Sequence, residues 1–183
     1  GALNVHPSLL PKYRGPSPVQ TTILNGDTKT GVTIIQMDKE VDHGPILAST
    51  KFEIRNSKPT TPELLQTLWE LGGDLLVEII PKWIAGEITP QEQNHSKATY
   101  TKKLTREDGR IDWDRPVEYI ERQIRAFFPW PGVFTFWKGK RLKVLKSYIN
   151  DQGKFVIDEL QLEGKKPTTY REFLLGHKDF ILK

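Results

Sequence analysis

The first forty-five residues constrain this chain most. The apolar run Ala2-Leu3-Asn4-Val5 reads as a buried strand that feeds a loop, His6-Pro7-Ser8-Leu9-Leu10-Pro11-Lys12-Tyr13-Arg14-Gly15. Two prolines and a closing glycine make that loop rigid and non-helical. The pattern then predicts a helix over 17–24, with Ser17 as N-cap, Pro18 at its first position and Gly26 just past its end. Gly31-Val32-Thr33-Ile34-Ile35-Gln36-Met37 is strand by its β-branched content, and it runs into a second loop, 38–44, that carries Asp42.

A strand–helix–strand unit of this kind predicts parallel strands with a right-handed crossover. Ligands then bind beyond the shared carboxyl edge. His6 and Asp42, 36 residues apart, would sit past two strand ends, near enough for the carboxylate to reach the imidazole. Asn4 and His6 are two apart, so in an extended segment they share a face. An amide, an imidazole and a carboxylate in one crevice suit attack on a carbonyl carbon. Asn4 and a protonated His6 supply donors for an oxyanion, and His6 can move protons from nucleophile to leaving group. Asp42 would hold the ring, since a neighbouring carboxylate favours a charged imidazole. The same residues also read as ordinary turn formers and a satisfied polar group at a strand end.

The wording of the loops goes further. Asn4-Val5-His6-Pro7-Ser8-Leu9-Leu10-Pro11-Lys12-Tyr13-Arg14-Gly15 resembles the signature of the folate-dependent formyltransferases, and Met37-Asp38-Lys39-Glu40-Val41-Asp42-His43-Gly44-Pro45 its companion loop. Arg14-Gly15 with Pro16-Ser17-Pro18-Val19-Gln20 is similar to the branch of that family acting on methionyl-tRNA. So are Arg110-Ile111-Asp112-Trp113, Arg122-Gln123-Ile124-Arg125-Ala126-Phe127, Pro129-Trp130-Pro131-Gly132 and Gln161-Leu162-Glu163-Gly164-Lys165-Lys166-Pro167. The resemblance implies formyl transfer from 10-formyltetrahydrofolate to the amino group of methionyl-initiator tRNA. It puts catalytic roles on Asn4, His6 and Asp42, and folate contact on Ser8, Leu9, Leu10 and Pro11.

It also implies the architecture: α/β, with a partial Rossmann-like formyltransferase domain (strand–helix–strand plus helices) followed by a small, basic, shortened α+β/OB-like C-terminal domain. The expected division is 1–89 for the C-terminal half of the catalytic domain, 90–104 for a linker and 105–183 for a tRNA-binding-type domain. The family has further strands and helices before the asparagine, so a chain starting at Gly1 is expected to be a fragment, inactive alone. The run from Ser147-Tyr148-Ile149 almost directly into Phe155-Val156-Ile157 is shorter than in the family, which argues against a closed barrel.

Charge separates the two parts. Residues 1–96 carry 8 Lys and Arg against 11 Asp and Glu, net −3, and residues 97–183 carry 19 against 12, net +7. A basic second half suits an anionic partner. Lys138, Lys140, Arg141, Lys143 and Lys146 form its densest run, with no acid among them in sequence, and are the nucleic-acid candidates. There is no cysteine, no run near the ~20 apolar residues of a membrane span, and no basic-plus-apolar leader at the start, which together suit a cytoplasmic protein. His6, His43, His95 and His177 are scattered without helical metal-ligand spacing, so no metal is expected.

Along the rest of the chain the pattern predicts a strand over 45–54, a turn over 55–59, and a helical region from a Thr60/Glu63 capping box to Gly86. Gly72-Gly73 would break that region in two, and Pro81 would kink it. Residues 87–104 are polar and aperiodic; Lys97, Lys102 and Lys103 there belong to a solvated tether or face RNA. Asp114 is the predicted N-cap of a helix to Ala126, with Val117, Ile120, Ile124 and Phe127 inward and Glu118, Glu121, Arg122 and Arg125 outward. Trp130 either anchors the following turn in the core or stacks on a base, with burial favoured. A hairpin (133–137 and 141–149), a third strand (154–162) and a last helix near a Thr169/Glu172 capping box complete the pattern. Two other functions stay open: formylation of an amino sugar nucleotide, and a basic RNA-binding module with a degenerate enzyme-like front.

Overall fold

The structure, a computed structural model, describes residues 1–54 and 58–180. Most of the turn expected over 55–59 therefore lies outside the described residues. The chain divides into two compact units, 1–103 and 104–183.

The first unit holds a three-stranded sheet in the order β1 (Leu3–His6), β2 (Lys29–Gln36), β3 (Ile46–Glu53). All neighbours are antiparallel, with His6 opposite Thr33 and Leu3 opposite Gln36. This corrects the parallel expectation for β1 and β2. The helix between them, α1 (Pro18–Asn25), has eight residues, about 12 Å at 1.5 Å each, while the eight residues of β2 extend about 27 Å. It is too short to carry the chain back across the sheet, as a parallel return requires. The loop after β1 instead folds onto the side of β2: the Thr33 hydroxyl donates to the Ser8 carbonyl at 2.7 Å and accepts the Leu10 N–H at 3.1 Å. Ser17 stands at the start of α1 but caps with its backbone; its hydroxyl donates to the Lys102 carbonyl.

Cross-strand partners share a face. Val5 and Ile34 therefore point one way, and Asn4, His6, Thr33 and Ile35 the other. The first face is covered by α2 (Thr61–Ile84), a single helix of 24 residues. Its start is as predicted: the Glu63 carboxylate accepts the Thr60 N–H and hydroxyl, both at 2.8 Å, which holds the Glu63 carboxyl below its ordinary range. Ile34, Leu47 and Ile79 form the core between helix and sheet, with Leu3, Val5, Leu75, Leu76 and Trp83 packed around them.

The expected break at Gly72-Gly73 is absent. Gly72 is buried where the helix meets the sheet, and a Cβ there would lie 2.7 Å from a Val5 methyl and 3.1 Å from a Val32 methyl. That glycine serves close approach. Gly73 faces open space. Part of the polar stretch 87–104 is held on the first unit: Gln91 pairs with Ile46, Gln93 is buried, and Thr99 and Thr101 pair with the loop after β1.

The second unit is an antiparallel sheet in the order β4 (Val133–Trp137), β5 (Lys140–Ile149), β6 (Phe155–Leu162), β7 (Thr168–Thr169). Helices α3 (Val117–Ala126) and α4 (Tyr170–Gly176) complete it, α4 opening on the predicted Thr169/Glu172 box. The sheet's two end strands, β4 and β7, do not pair among the described residues. Two expectations for α3 are corrected. Pro116, not Asp114, stands at its N-cap. Glu121 is buried rather than outward, because Arg125 one turn on meets it with two hydrogen bonds of 2.8 and 2.9 Å. Trp130 is half exposed rather than a core anchor. Among the described residues no helix is long and apolar enough to cross a membrane.

The two glycines of α2 make opposite predictions. Gly73→Ala is expected to stabilise by about 1 kcal/mol, the ordinary helix gain. Gly72→Ala is expected to destabilise by about 1–2 kcal/mol, because overpacking against stiff valines outweighs that gain. Denaturant midpoints of the two variants, followed by circular dichroism, check the contrast.

Candidate active site

The loop 37–45 brings Asp42 back over the face that carries Asn4 and His6. Both ends of the loop are pinned: Met37 N–H donates to the Ala2 carbonyl at 2.9 Å, and Gln36 N–H to the Pro45 carbonyl at 3.0 Å. Gly44 lies so close to the Gln36 carbonyl that no Cβ fits. Asp42 takes a left-handed conformation (φ 48°), which an aspartate tolerates. Its Oδ1 accepts from Asn4 Nδ2 at 3.0 Å and faces His6 Nδ1 at 3.5 Å, while its Oδ2 accepts the Gly15 N–H at 2.7 Å. The three predicted residues thus meet, by a route different from the parallel crossover.

His6 is buried, and its Nε2 lies 3.0 Å from the Tyr13 carbonyl. A carbonyl only accepts, so Nε2 carries the proton there and Nδ1 faces the carboxylate. Tyr13 aims that carbonyl through a left-handed backbone (φ 64°), a strained conformation for a bulky residue. It is held in place at its far end: the Tyr13 hydroxyl donates to Asp27 at 2.7 Å and accepts from Asn25 at 2.7 Å. Lys12 Nζ also reaches Asp27, at 2.9 Å.

Of the four folate candidates, Ser8 and Leu10 are buried and Leu9 and Pro11 half-buried. The Ser8 hydroxyl donates to the Lys12 carbonyl at 2.6 Å, and Leu9 packs on the glycine of β2, Gly31. They shape the loop from within.

Sequence reasoning missed Arg14, Gln93, Tyr13 and Gly15 as working parts. Arg14 is 1% exposed, yet its guanidinium lies among neutral partners: Gln93 Oε1 at 3.2 Å from Nε and 2.7 Å from one terminal nitrogen, the Tyr100 hydroxyl at 3.2 Å, and His95 Nδ1 at 2.9 Å. The Arg-Gly ending of the first motif was the available signal for Arg14. Nothing in the polar stretch around Gln93 marked it. His95 stacks on His43, with centroids 4.0 Å apart, and His43 Nδ1 lies 2.7 Å from Asp38. That hydrogen bond, then the Glu40 N–H, holds the Asp38 carboxyl below its usual range.

In the second unit three of the five cationic candidates meet acids from elsewhere in the chain, although the run itself holds none. Lys138 pairs with Asp179, Lys146 with Glu159 at 2.9 Å, and Arg141 with Glu107 at 3.9 Å while lying 4.0 Å over the Phe134 ring. Lys140 and Lys143 are exposed. Lys143 and Arg141 border a shallow pocket of about 280 Å³ with Gln161, Leu162, Glu163 and Gly164.

An amide and an imidazole on β1 face a carboxylate from the loop after β2, and a small basic sheet unit follows in sequence. The formyl transferase profile matches residues 1–80 and that of the formyl transferase C-terminal domain residues 103–155, and the chain belongs to the formyltransferase family. Within that family it is 50% identical over 151 residues to the methionyl-tRNA formyltransferase of Chloroflexus aurantiacus, covering 81% of this chain and 48% of that protein. It is 38% identical to the methionyl-tRNA formyltransferase of Dehalococcoides mccartyi, over 98% of this chain and 64% of that one. The chain thus spans about half to two-thirds of these relatives' length. Among solved structures, methionyl-tRNA formyltransferase from Clostridium thermocellum matches with TM-score 0.66 at 23% identity, over 87% of this chain and 67% of that one. HypX from Aquifex aeolicus in complex with tetrahydrofolic acid matches with TM-score 0.74 at 18% identity, over 98% and 36%. These two likenesses show the fold.

The Asp38 shift has a sign. A lowered carboxyl contributes stability above its ordinary value and loses it as pH falls through the lowered one. The Asp38 side-chain carbon, followed by NMR, is expected to titrate below an ordinary aspartate, and His43→Ala is expected to move that midpoint back up.

Proposed function

We propose that this chain is part of an enzyme that transfers a formyl group from 10-formyltetrahydrofolate to the amino group of methionyl-initiator tRNA, in cytoplasmic translation initiation. The observation that carries the reading is the convergence of Asn4 and His6 on the Asp42 carboxylate, in a chain about 50% identical to proteins named for this activity. Residues 1–89 would be the C-terminal half of the catalytic domain, 90–104 the joining segment and 105–183 the tRNA-binding part.

In this reaction the amine attacks the formyl carbon, and the bond from that carbon to the folate nitrogen breaks. Negative charge grows on the formyl oxygen between these events. Asn4 Nδ2 has two N–H groups and uses one on Asp42, which leaves the second for that oxygen. His6 borders the same face and relays the amine's proton to the departing nitrogen. Its two ring nitrogens are engaged by Tyr13 and Asp42 in this state, so one of those contacts gives way when substrate enters. The loop that Ser8, Leu9, Leu10 and Pro11 build is the wall on which the folate lies, with the half-buried Leu9 and Pro11 outermost and Ser8 and Leu10 supporting it from within. Lys140 and Lys143, with Lys138, Arg141 and Lys146, present charge to phosphates, which adds affinity without reading sequence.

The test uses a protein completed to the relatives' length. Asn4→Ala, His6→Ala and Asp42→Asn are each expected to lower formylation of methionyl-tRNA by roughly 100-fold or more. Wild-type rates in all three would overturn the mechanism, and faster turnover of amino sugar nucleotides would overturn the acceptor. Lys140→Glu with Lys143→Glu is expected to weaken tRNA binding and to flatten its salt dependence by about one unit of slope per lost phosphate contact.

A further inference from the structure

The side chain of Gln93 is the hinge pin of the Asp42 loop. Its Nε2 donates to two carbonyls of that loop, Asp42 at 2.9 Å and Gly44 at 2.8 Å. Its Oε1 accepts two hydrogen bonds from the buried Arg14. Arg14 in turn is anchored through its backbone: its N–H donates to Thr99 at 2.8 Å, and its carbonyl accepts the Thr101 N–H at 2.7 Å. The residue after Arg14 is Gly15, whose N–H holds the far oxygen of Asp42. One amide therefore ties both ends of a short circuit: the carbonyl of Asp42 on one side, and the residue next to the donor for its carboxylate on the other.

We propose that Gln93 is a positioning residue for Asp42: through Arg14 and the Asp42 and Gly44 carbonyls it sets where the carboxylate stands against Asn4 and His6. The proposal rests on the reading of Asp42 as part of the reacting site. The physical case is one of orientation. A primary amide is the one uncharged side-chain group that offers a bidentate acceptor to a guanidinium at one atom and two N–H donors at the other. Gln93 is 5% exposed, so water does not replace these bonds at low cost. Asp42 takes a left-handed backbone, and that conformation persists only where the surroundings hold it. Two hydrogen bonds to the carbonyls at 42 and 44 supply that hold.

Gln93→Glu separates positioning from plain structural support. The carboxylate keeps, and strengthens, an acceptor for Arg14, but turns an oxygen that cannot donate toward the Asp42 and Gly44 carbonyls. The reporter is amide hydrogen exchange by NMR in the 183-residue chain, read at Gly15, Arg14 and Thr101, with Asp42→Ala as the reference for loss of the Gly15 bond. Positioning predicts that exchange at Gly15 speeds by about tenfold, the worth of one hydrogen bond, while Arg14 and Thr101 stay near wild type. An unchanged Gly15 overturns the proposal, and so does a parallel rise at all three, which marks general loosening. In the completed enzyme Gln93→Glu is expected to lower kcat by roughly 10- to 100-fold, with KM for the formyl donor within about threefold. Asp42→Asn at wild-type rate would refute the catalytic reading instead, and would leave the exchange comparison standing.

Discussion

Everything in the first unit's candidate site turns on the carboxylate of Asp42 and the donors it gathers. One oxygen takes the Asn4 amide and faces His6, and the other takes the Gly15 N–H. These donors come from a strand and from the loop that follows it. A carboxylate that bridges them sets the spacing of β1 against that loop and orients the imidazole in the same stroke. Hydrogen bonds to a charged acceptor are about twice as strong as neutral ones, so this is where the local geometry is decided.

What positions that carboxylate was partly legible in the sequence. Both capping boxes, the proline-and-glycine ends of α1 and the hairpin of the second unit are encoded by neighbours, and all were found where the pattern put them. Strand direction is not encoded by neighbours. It depends on whether a connection can span the sheet, and an eight-residue helix tied to Thr33 through its preceding loop cannot. Gly72-Gly73 carried the composition of a break, but the reason for Gly72 lies in Val5 and Val32, forty or more residues away in sequence. Glu121 sat on the polar side of the helical period and is buried because Arg125 goes in with it.

The site residues themselves were legible for a different reason. Spacing alone left Asn4, His6 and Asp42 as possible turn formers. The long matching motifs raised them above that, and the motifs carry no account of how the loops are held. Arg14 shows the gap. It lies inside the motif, but nothing in its sequence context says that it is buried, or that its partners come from residues 93, 95 and 100. Those residues stand in a stretch without periodicity, and a polar aperiodic stretch reads as solvated.

Burying a guanidinium among an amide, a phenol and an imidazole has a consequence for how this part of the molecule can change. Desolvating a full charge costs several kcal/mol, and neutral acceptors recover it only when every one is in place. Loss of any one acceptor leaves a buried cation short of partners, and that cost falls on the Arg14 end of the circuit. A carboxylate partner for Arg14 would have been stronger, and would have put a second acid beside Asp42. Neutral partners hold the same atoms while leaving Asp42 as the one carboxylate turned on Asn4 and His6 among the described residues. The arrangement thus favours a well-placed charge over the tightest clamp, which is what a site must do if that charge is to act on a reacting group.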